Sequence, residues 1–114
     1  MKEMTVNEHL QEKLKNPYFK ELHELEEQKY NIVRKIIDHR IKEKLTQGEL
    51  AKRIGVSQQH ISKIESGEFS SVTTLEKVLL GIGMTVRIQA VELNAQTKKR
   101  IARVIAQHKH FQLA

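Results

Sequence analysis

The chain has 114 residues, no cysteine, and 20 lysine and arginine side chains against 14 aspartate and glutamate, a formal net charge of +6. That length suits one domain with short appended elements. The lack of cysteine excludes disulfides, thiolate nucleophiles and cysteine-based zinc sites, and no apolar run approaches the ~18 residues that a membrane span requires. The positive charge favours a polyanionic partner or an acidic protein surface without choosing between them. With no apolar stretch after the N-terminus to act as a signal peptide, a cytoplasmic protein is expected.

Five glycines and one proline among many helix formers point to a mainly α fold. Val6 to Lys15 reads as a short helix with Asn7 as a cap and Leu10 and Leu14 on one face. Asn16-Pro17 interrupts it, because proline disfavours helix in the residue before it and starts new helices well. From Tyr18 to Lys44, Leu22, Leu25, Ile32, Val33, Ile36, Ile37 and Ile41 keep three- and four-residue spacings. Gln28 and Lys29 weaken this stripe, which leaves open two helices or one with a solvated centre. Three short helices follow: Thr46 to Ile54, stopped by Gly55; Ser57 to Ser66, stopped by Gly67; and one opened by Thr73 or Thr74 and ending near Ile82-Gly83. From Met84 to Leu93 the period changes. Val86, Ile88 and Ala90 alternate with Thr85, Arg87 and Gln89, a strand signature. Asn94 then caps a last helix whose apolar face is Ile101, Val104 and Ile105, surrounded by Lys98, Lys99, Arg100 and Arg103.

The charge is uneven along the chain. Residues 1–30 carry five basic and seven acidic side chains, residues 31–71 eight and five, and residues 72–114 seven and two. The acidic end and the basic remainder are therefore suited to different partners.

The stretch Thr46 to Gly67 meets the physical requirements of a helix-turn-helix. Two short helices that cross steeply need a tight joint, which Gly55 supplies, and a small residue at their contact, which is Ala51. Leu50, Ile54, Val56, Ile61 and Ile64 are spaced to share one core. Gln58, Gln59, Ser62 and Lys63 are polar residues toward the N-terminal end of the second helix, the end that enters the major groove in this motif. Glutamine can pair bidentately with adenine, worth ~1–3 kcal/mol of discrimination. The competing view of Lys63 is a phosphate contact without sequence information.

The segments Thr46-Gln47-Gly48-Glu49-Leu50-Ala51, Gly55-Val56-Ser57-Gln58-Gln59-His60-Ile61-Ser62-Lys63-Ile64-Glu65-Ser66-Gly67 and Thr74-Leu75-Glu76-Lys77-Val78 resemble the phage-repressor-like helix-turn-helix family over residues 32–83. The resemblance implies a five-helix DNA-binding domain in which Gln47 fixes the helix end to phosphate. It also implies that Gln58, Gln59, Ser62 and Lys63 reach base edges and that a buried ion pair links Arg40 and Glu65. Ser57 joins this DNA-binding set. Gly48 departs from the commonest pattern at a helix-propensity cost of up to ~1 kcal/mol. The loop Glu68-Phe69-Ser70-Ser71 lacks proline and carries an acidic residue, although Ser70, Ser71 and Thr73 have hydroxyls to offer phosphate.

The N-terminal Leu14-Lys15-Asn16-Pro17-Tyr18-Phe19-Lys20-Glu21, leading into a helix and then the DNA-binding unit, resembles HigA-type antitoxins. That resemblance implies N-terminal helices that pack on a RelE-like (HigB-like) ribonuclease toxin, and repression of the protein's own operon. Leu14, Tyr18, Phe19, Leu22 and Leu25 are the toxin-binding candidates; an acidic segment with aromatic anchors suits a basic partner. The competing view has Phe19 and Leu22 packing on the chain's own core.

A lone strand leaves its backbone groups unpaired, so Val86, Ile88 and Ala90 are expected to pair with a second copy. The resulting homodimer would set two recognition helices on a palindromic operator. The organisation expected is an N-terminal helical extension (1–31), the helix-turn-helix domain (32–83), and a strand plus basic terminal helix (84–114). The terminal helix would extend the DNA contact, support the dimer or stay solvated. His108 and His110 lie two apart, about 200° around a helix, and are not read as a metal site; no cofactor is expected. The alternative function is a stand-alone phage-type repressor. Catalysis is not expected, because the histidines are scattered and most carboxylates lie on exposed helix faces.

Overall fold

A computed structural model describes residues 4–69 and 71–107 of the chain. Among these residues there are six helices: α1 (Val6–Lys13), α2 (Pro17–Lys42), α3 (Gln47–Ile54), α4 (Gln58–Glu65), α5 (Val72–Gly81) and α6 (Ala95–Gln107). The chain divides into two compact units, one of Met1–Glu26 with Ala90–Ala114 and one of Glu27–Gln89.

The unit Glu27–Gln89 is built around a core of Ile36, Leu50, Ala51, Ile61, Ile64, Leu75, Val78 and Leu79, with Val33 buried as well. Ile32, Leu45, Ile54, Val56, Phe69, Ile82, Met84 and Val86 are half-buried against it. Each fully buried aliphatic side chain contributes about 1.5–3 kcal/mol by leaving water. The five helices expected over 32–83 are four helical segments, the C-terminal part of α2 with α3, α4 and α5, and α2 itself runs unbroken through Gln28 and Lys29. Lys29 does not leave a gap in the stripe. Its ammonium lies 4.6 Å from the centroid of the Phe69 ring, so its aliphatic stem and charge cover the apolar edge there.

Helix ends are set by local chemistry. At the end of α2, Leu45 N–H donates to Arg40 O at 3.0 Å and Lys44 N–H to Ile41 O at 3.0 Å, with Lys44 at φ 57°. This is the closing geometry that glycine usually provides. α5 is capped by Ser71, whose hydroxyl accepts from Thr73 N–H at 3.2 Å, and not by Thr73 or Thr74. Serine at 71 accepts from the first turn without taking a helical position itself. Where α5 meets α3, a Cβ on Gly81 would lie 2.8 Å from Ile54 Cγ1, so glycine permits that close approach.

In the other unit, α1 is capped by Thr5 and not by Asn7. Thr5 Oγ1 accepts from Glu8 N–H at 3.1 Å, and the Glu8 carboxylate accepts from Thr5 N–H at 2.9 Å, a reciprocal capping box. Pro17 is the first residue of α2, and Asn16 Oδ1 accepts from Tyr18 N–H at 3.0 Å. Asn94 Oδ1 accepts from Thr97 N–H at 2.8 Å at the start of α6. Arg100 Nη2 donates to Lys15 O at 3.1 Å, at the end of α1. Neither α1 nor α6 contains a buried residue.

The expected strand is absent. Residues 84–94 carry no regular secondary structure, and no strand is found among the described residues. Alternation alone does not make a strand, since a ladder needs a second backbone to pair with. Val86 instead half-buries against the core, Thr85 Oγ1 donates to Glu76 Oε1 at 2.8 Å, and Ile88 and Ala90 are exposed.

Candidate nucleic-acid interface

The interface is organised by the joint between α3 and α4. Thr46 opens α3 with a capping box: Thr46 Oγ1 accepts from Glu49 N–H at 3.1 Å, and Glu49 Oε1 accepts from Thr46 N–H at 3.0 Å. These hydrogen bonds from Thr46, backbone first, hold the Glu49 carboxyl below its ordinary value. Gly55 ends α3 at φ 86°, ψ 38°, a left-handed conformation that L side chains resist. Gly55 N–H and Val56 N–H both donate to Ala51 O, at 2.8 and 2.9 Å. Ser57 then caps α4, accepting from His60 N–H at 3.1 Å. At the far end Glu68 N–H donates to Lys63 O at 2.8 Å and Gly67 N–H to Ile64 O at 2.9 Å, which closes the helix in a Schellman turn.

This frame sorts α4 into two faces. Ile61 and Ile64 are buried, whereas Gln58, Gln59, Ser62 and Lys63 are all exposed. The structure thus brings these four polar side chains together on the solvent side of one short helix. His60 is half-buried, and its Nε2 is buried with no hydrogen-bond partner among the described residues.

Arg40 and Glu65 lock α4 to the end of α2. Arg40 Nε donates to Glu65 Oε2 at 2.7 Å and Arg40 Nη2 to Glu65 Oε1 at 2.9 Å. Nη1 meanwhile reaches Leu45 O at 3.0 Å. The side chains retain 19% and 7% of their exposure, so this planar, bidentate pair is mostly out of water. The bond to Glu65 raises the Arg40 pKa above its ordinary value. Gln47 joins the network, its Nε2 donating to Glu65 Oε1 at 3.1 Å. A carboxylate only accepts, so the nitrogen of the amide must face it. One N–H of Gln47 is therefore spent within the protein.

Ser71 and Thr73 are exposed at the start of α5, the Ser71 hydroxyl already accepting from Thr73 N–H. Ser70 lies outside the described residues, as do His108 and His110. Among the described residues no three histidine, aspartate or glutamate side chains are grouped to hold a metal ion. The N-terminal candidates divide in two. Leu14, Tyr18 and Phe19 are half-buried, with Phe19 stacked on His23 at 6.2 Å between centroids and Lys13 5.6 Å from its ring centre. Leu22 and Leu25 are 46% and 62% exposed. By helix propensity Gly48 is only a weak helix former, whereas the structure sets it against Gln58. A Cβ there would lie 3.2 Å from Gln58 Oε1. No spacing rule reports such a contact, because it joins two helices.

Residues 36–88 match a family model described as helix-turn-helix. No curated protein and no solved structure matches the chain. The match covers the last two turns of α2 through α5 and part of the following segment, and it supports a DNA-binding transcriptional regulator with a repressor-like helix-turn-helix domain. Proteins of this family are generally not enzymes. No helix among the described residues is long and apolar enough to cross a membrane.

Proposed function

We propose that the protein is a sequence-specific repressor in which α4 reads base edges through Gln58, Gln59, Ser62 and Lys63. On this reading, Gln47, Ser57, Ser70, Ser71 and Thr73 contact phosphate. The observation that carries this reading is the exposure of those four α4 side chains on a helix whose other face is anchored by Ile61, Ile64 and Glu65. An anchored helix holds its readers in register, and phosphate contacts on either side fix its orientation without adding sequence information. The test is duplex selection from a random library followed by titration of the selected site. Gln58→Ala with Gln59→Ala should abolish preference for the selected sequence while helicity is retained. An unchanged preference would remove α4 from the role of reader.

A homodimer on a palindromic operator is the proposed assembly. Ile88, 70% exposed, and Ala90 are open to a second copy, whereas Val86 is partly used by the chain's own core.

The second reading adds an antitoxin role. It is favoured by Leu22 and Leu25, exposed on α2 among Glu21, Glu24 and Glu26. An apolar strip with an acidic border suits a basic protein partner such as a RelE-like ribonuclease toxin. Co-expression with the neighbouring open reading frame and affinity capture of the full chain tests it. Leu22→Asp with Leu25→Asp should release the captured partner and leave DNA binding intact. Absence of any captured neighbour product leaves the stand-alone repressor as the function.

A further inference from the structure

Gly48 stands in the first turn of α3, a position where almost any other residue would favour the helix more. The structure supplies a reason for glycine that lies outside α3. A Cβ on Gly48 would meet Gln58 Oε1 at 3.2 Å, Gln58 Cδ at 3.6 Å and Thr46 Oγ1 at 3.9 Å. The amide of Gln58 therefore lies folded back against the bare Cα of Gly48, oxygen foremost, although Gln58 as a whole is exposed. We propose that Gly48 is a positioning residue for DNA recognition: it provides the seat that holds the Gln58 amide at the first turn of α4. This inference rests on the reading of Gln58 as a base-contacting residue.

The physical basis is the entropy of a long side chain. A glutamine on an open helix surface samples many rotamers, and ordering it on binding costs affinity. A seat against α3 restricts those rotamers before DNA arrives. The first turn of a helix also presents the positive end of its dipole, which favours the amide oxygen over the nitrogen on that side. A methyl group at position 48 would displace the amide by a few tenths of an ångström at least. Because the displaced group is the far end of a flexible, exposed side chain, the fold absorbs the change and the loss falls on recognition.

The experiment is a double-mutant cycle on the full chain, using a duplex selected by the wild-type protein from a random library. Gly48→Ala should melt no lower than wild type. It should bind the selected duplex about two- to tenfold more weakly, the range for freeing one immobilised side chain, and relax base preference at one base pair. In a Gln58→Ala background, adding Gly48→Ala should change neither affinity nor preference. The inference is overturned if Gly48→Ala keeps wild-type affinity and preference while Gln58→Ala relaxes them. It is equally overturned if the loss from Gly48→Ala persists undiminished without Gln58. If Gln58→Ala itself preserves the preference, the reading of Gln58 fails first and the seat has no function to serve.

Discussion

Helices α1 and α3 begin alike and end in different circumstances. Each is eight residues long and opens with a threonine that forms a reciprocal capping box with a glutamate three residues on. Yet α3 buries Leu50 and Ala51, while α1 buries nothing. The contrast extends to the units that hold them. Every buried side chain among the described residues lies between Val33 and Leu79, inside the unit Glu27–Gln89. The other unit has half-buried residues such as Leu10, Leu14, Phe19, Ile101 and Val104 and, among its described residues, no buried one. Local helix signals are thus equally good in both units, and only one converts them into a core. Isolated short helices are marginal in water, so the unit with no buried side chain among its described residues has the weaker claim to autonomous stability.

Truncating the apolar side chains tests that contrast most directly. Ile61 is fully buried, and Ile61→Ala should cost about 2–5 kcal/mol through lost transfer energy and the cavity left behind. Val104→Ala removes a half-buried side chain and should cost about 1 kcal/mol or less. Urea unfolding of the full chain, followed by circular dichroism, measures both. Equal losses would mean that the Met1–Glu26 and Ala90–Ala114 unit has a tightly packed interior after all.

The ion pair gives the next largest effect and separates geometry from stability. Glu65→Ala strands the Arg40 guanidinium, which keeps only 19% of its exposure, and should cost about 3 kcal/mol, the lower end for breaking a buried pair. Arg40→Met with Glu65→Leu removes both charges and should cost clearly less than the single change. The same double variant frees Gln47, whose Nε2 now bonds Glu65, so DNA affinity should fall even where stability recovers. A smaller gain is expected at the end of α2. Lys44 adopts φ 57°, and Lys44→Gly should stabilise the Glu27–Gln89 unit by about 0.5–1 kcal/mol, since only glycine takes that conformation without penalty.

Legibility in the sequence followed the range of the signals. Caps and stops that act over three or four residues, such as Thr46, Gly55, Ser57 and Gly67, were readable because they satisfy backbone groups of their own helix. The core positions Leu50, Ile61 and Ile64 were readable from helical spacing. Thr5 and Ser71 were missed in favour of neighbouring Asn7, Thr73 and Thr74, because several polar residues stood where one cap was needed and composition does not rank them. Lys29 looked like a break in the stripe because its partner, Phe69, is 40 residues away. The alternation at Val86, Ile88 and Ala90 suggested a strand, but pairing is a property of two backbones and the pattern describes one. Gly48 looked like a cost because the group it accommodates sits on another helix.

The two capping boxes offer the finest test, because the local chemistry is matched and only the surroundings differ. Loss of a capping threonine costs about 1 kcal/mol of helix stability. At Thr46 that loss is coupled to Leu50 and Ala51 in the core, so Thr46→Ala should lower the global unfolding free energy by about that amount. At Thr5 the helix has no buried residue through which to transmit it. Thr5→Ala should therefore reduce amide protection within α1 and leave the midpoint for the Glu27–Gln89 unit unchanged, by native-state hydrogen exchange. Acid gives an independent check on the same cap. The Thr46 hydrogen bonds lower the Glu49 pKa from 4.5, so their stabilisation is present above that value and is lost as pH falls through the folded-state value. Glu49→Gln keeps an acceptor for Thr46 N–H but cannot titrate. It should be less stable than wild type near neutrality, and the difference should shrink on acidification below about pH 4.5. A difference that stays constant through that range would show that the carboxylate charge adds nothing to the cap.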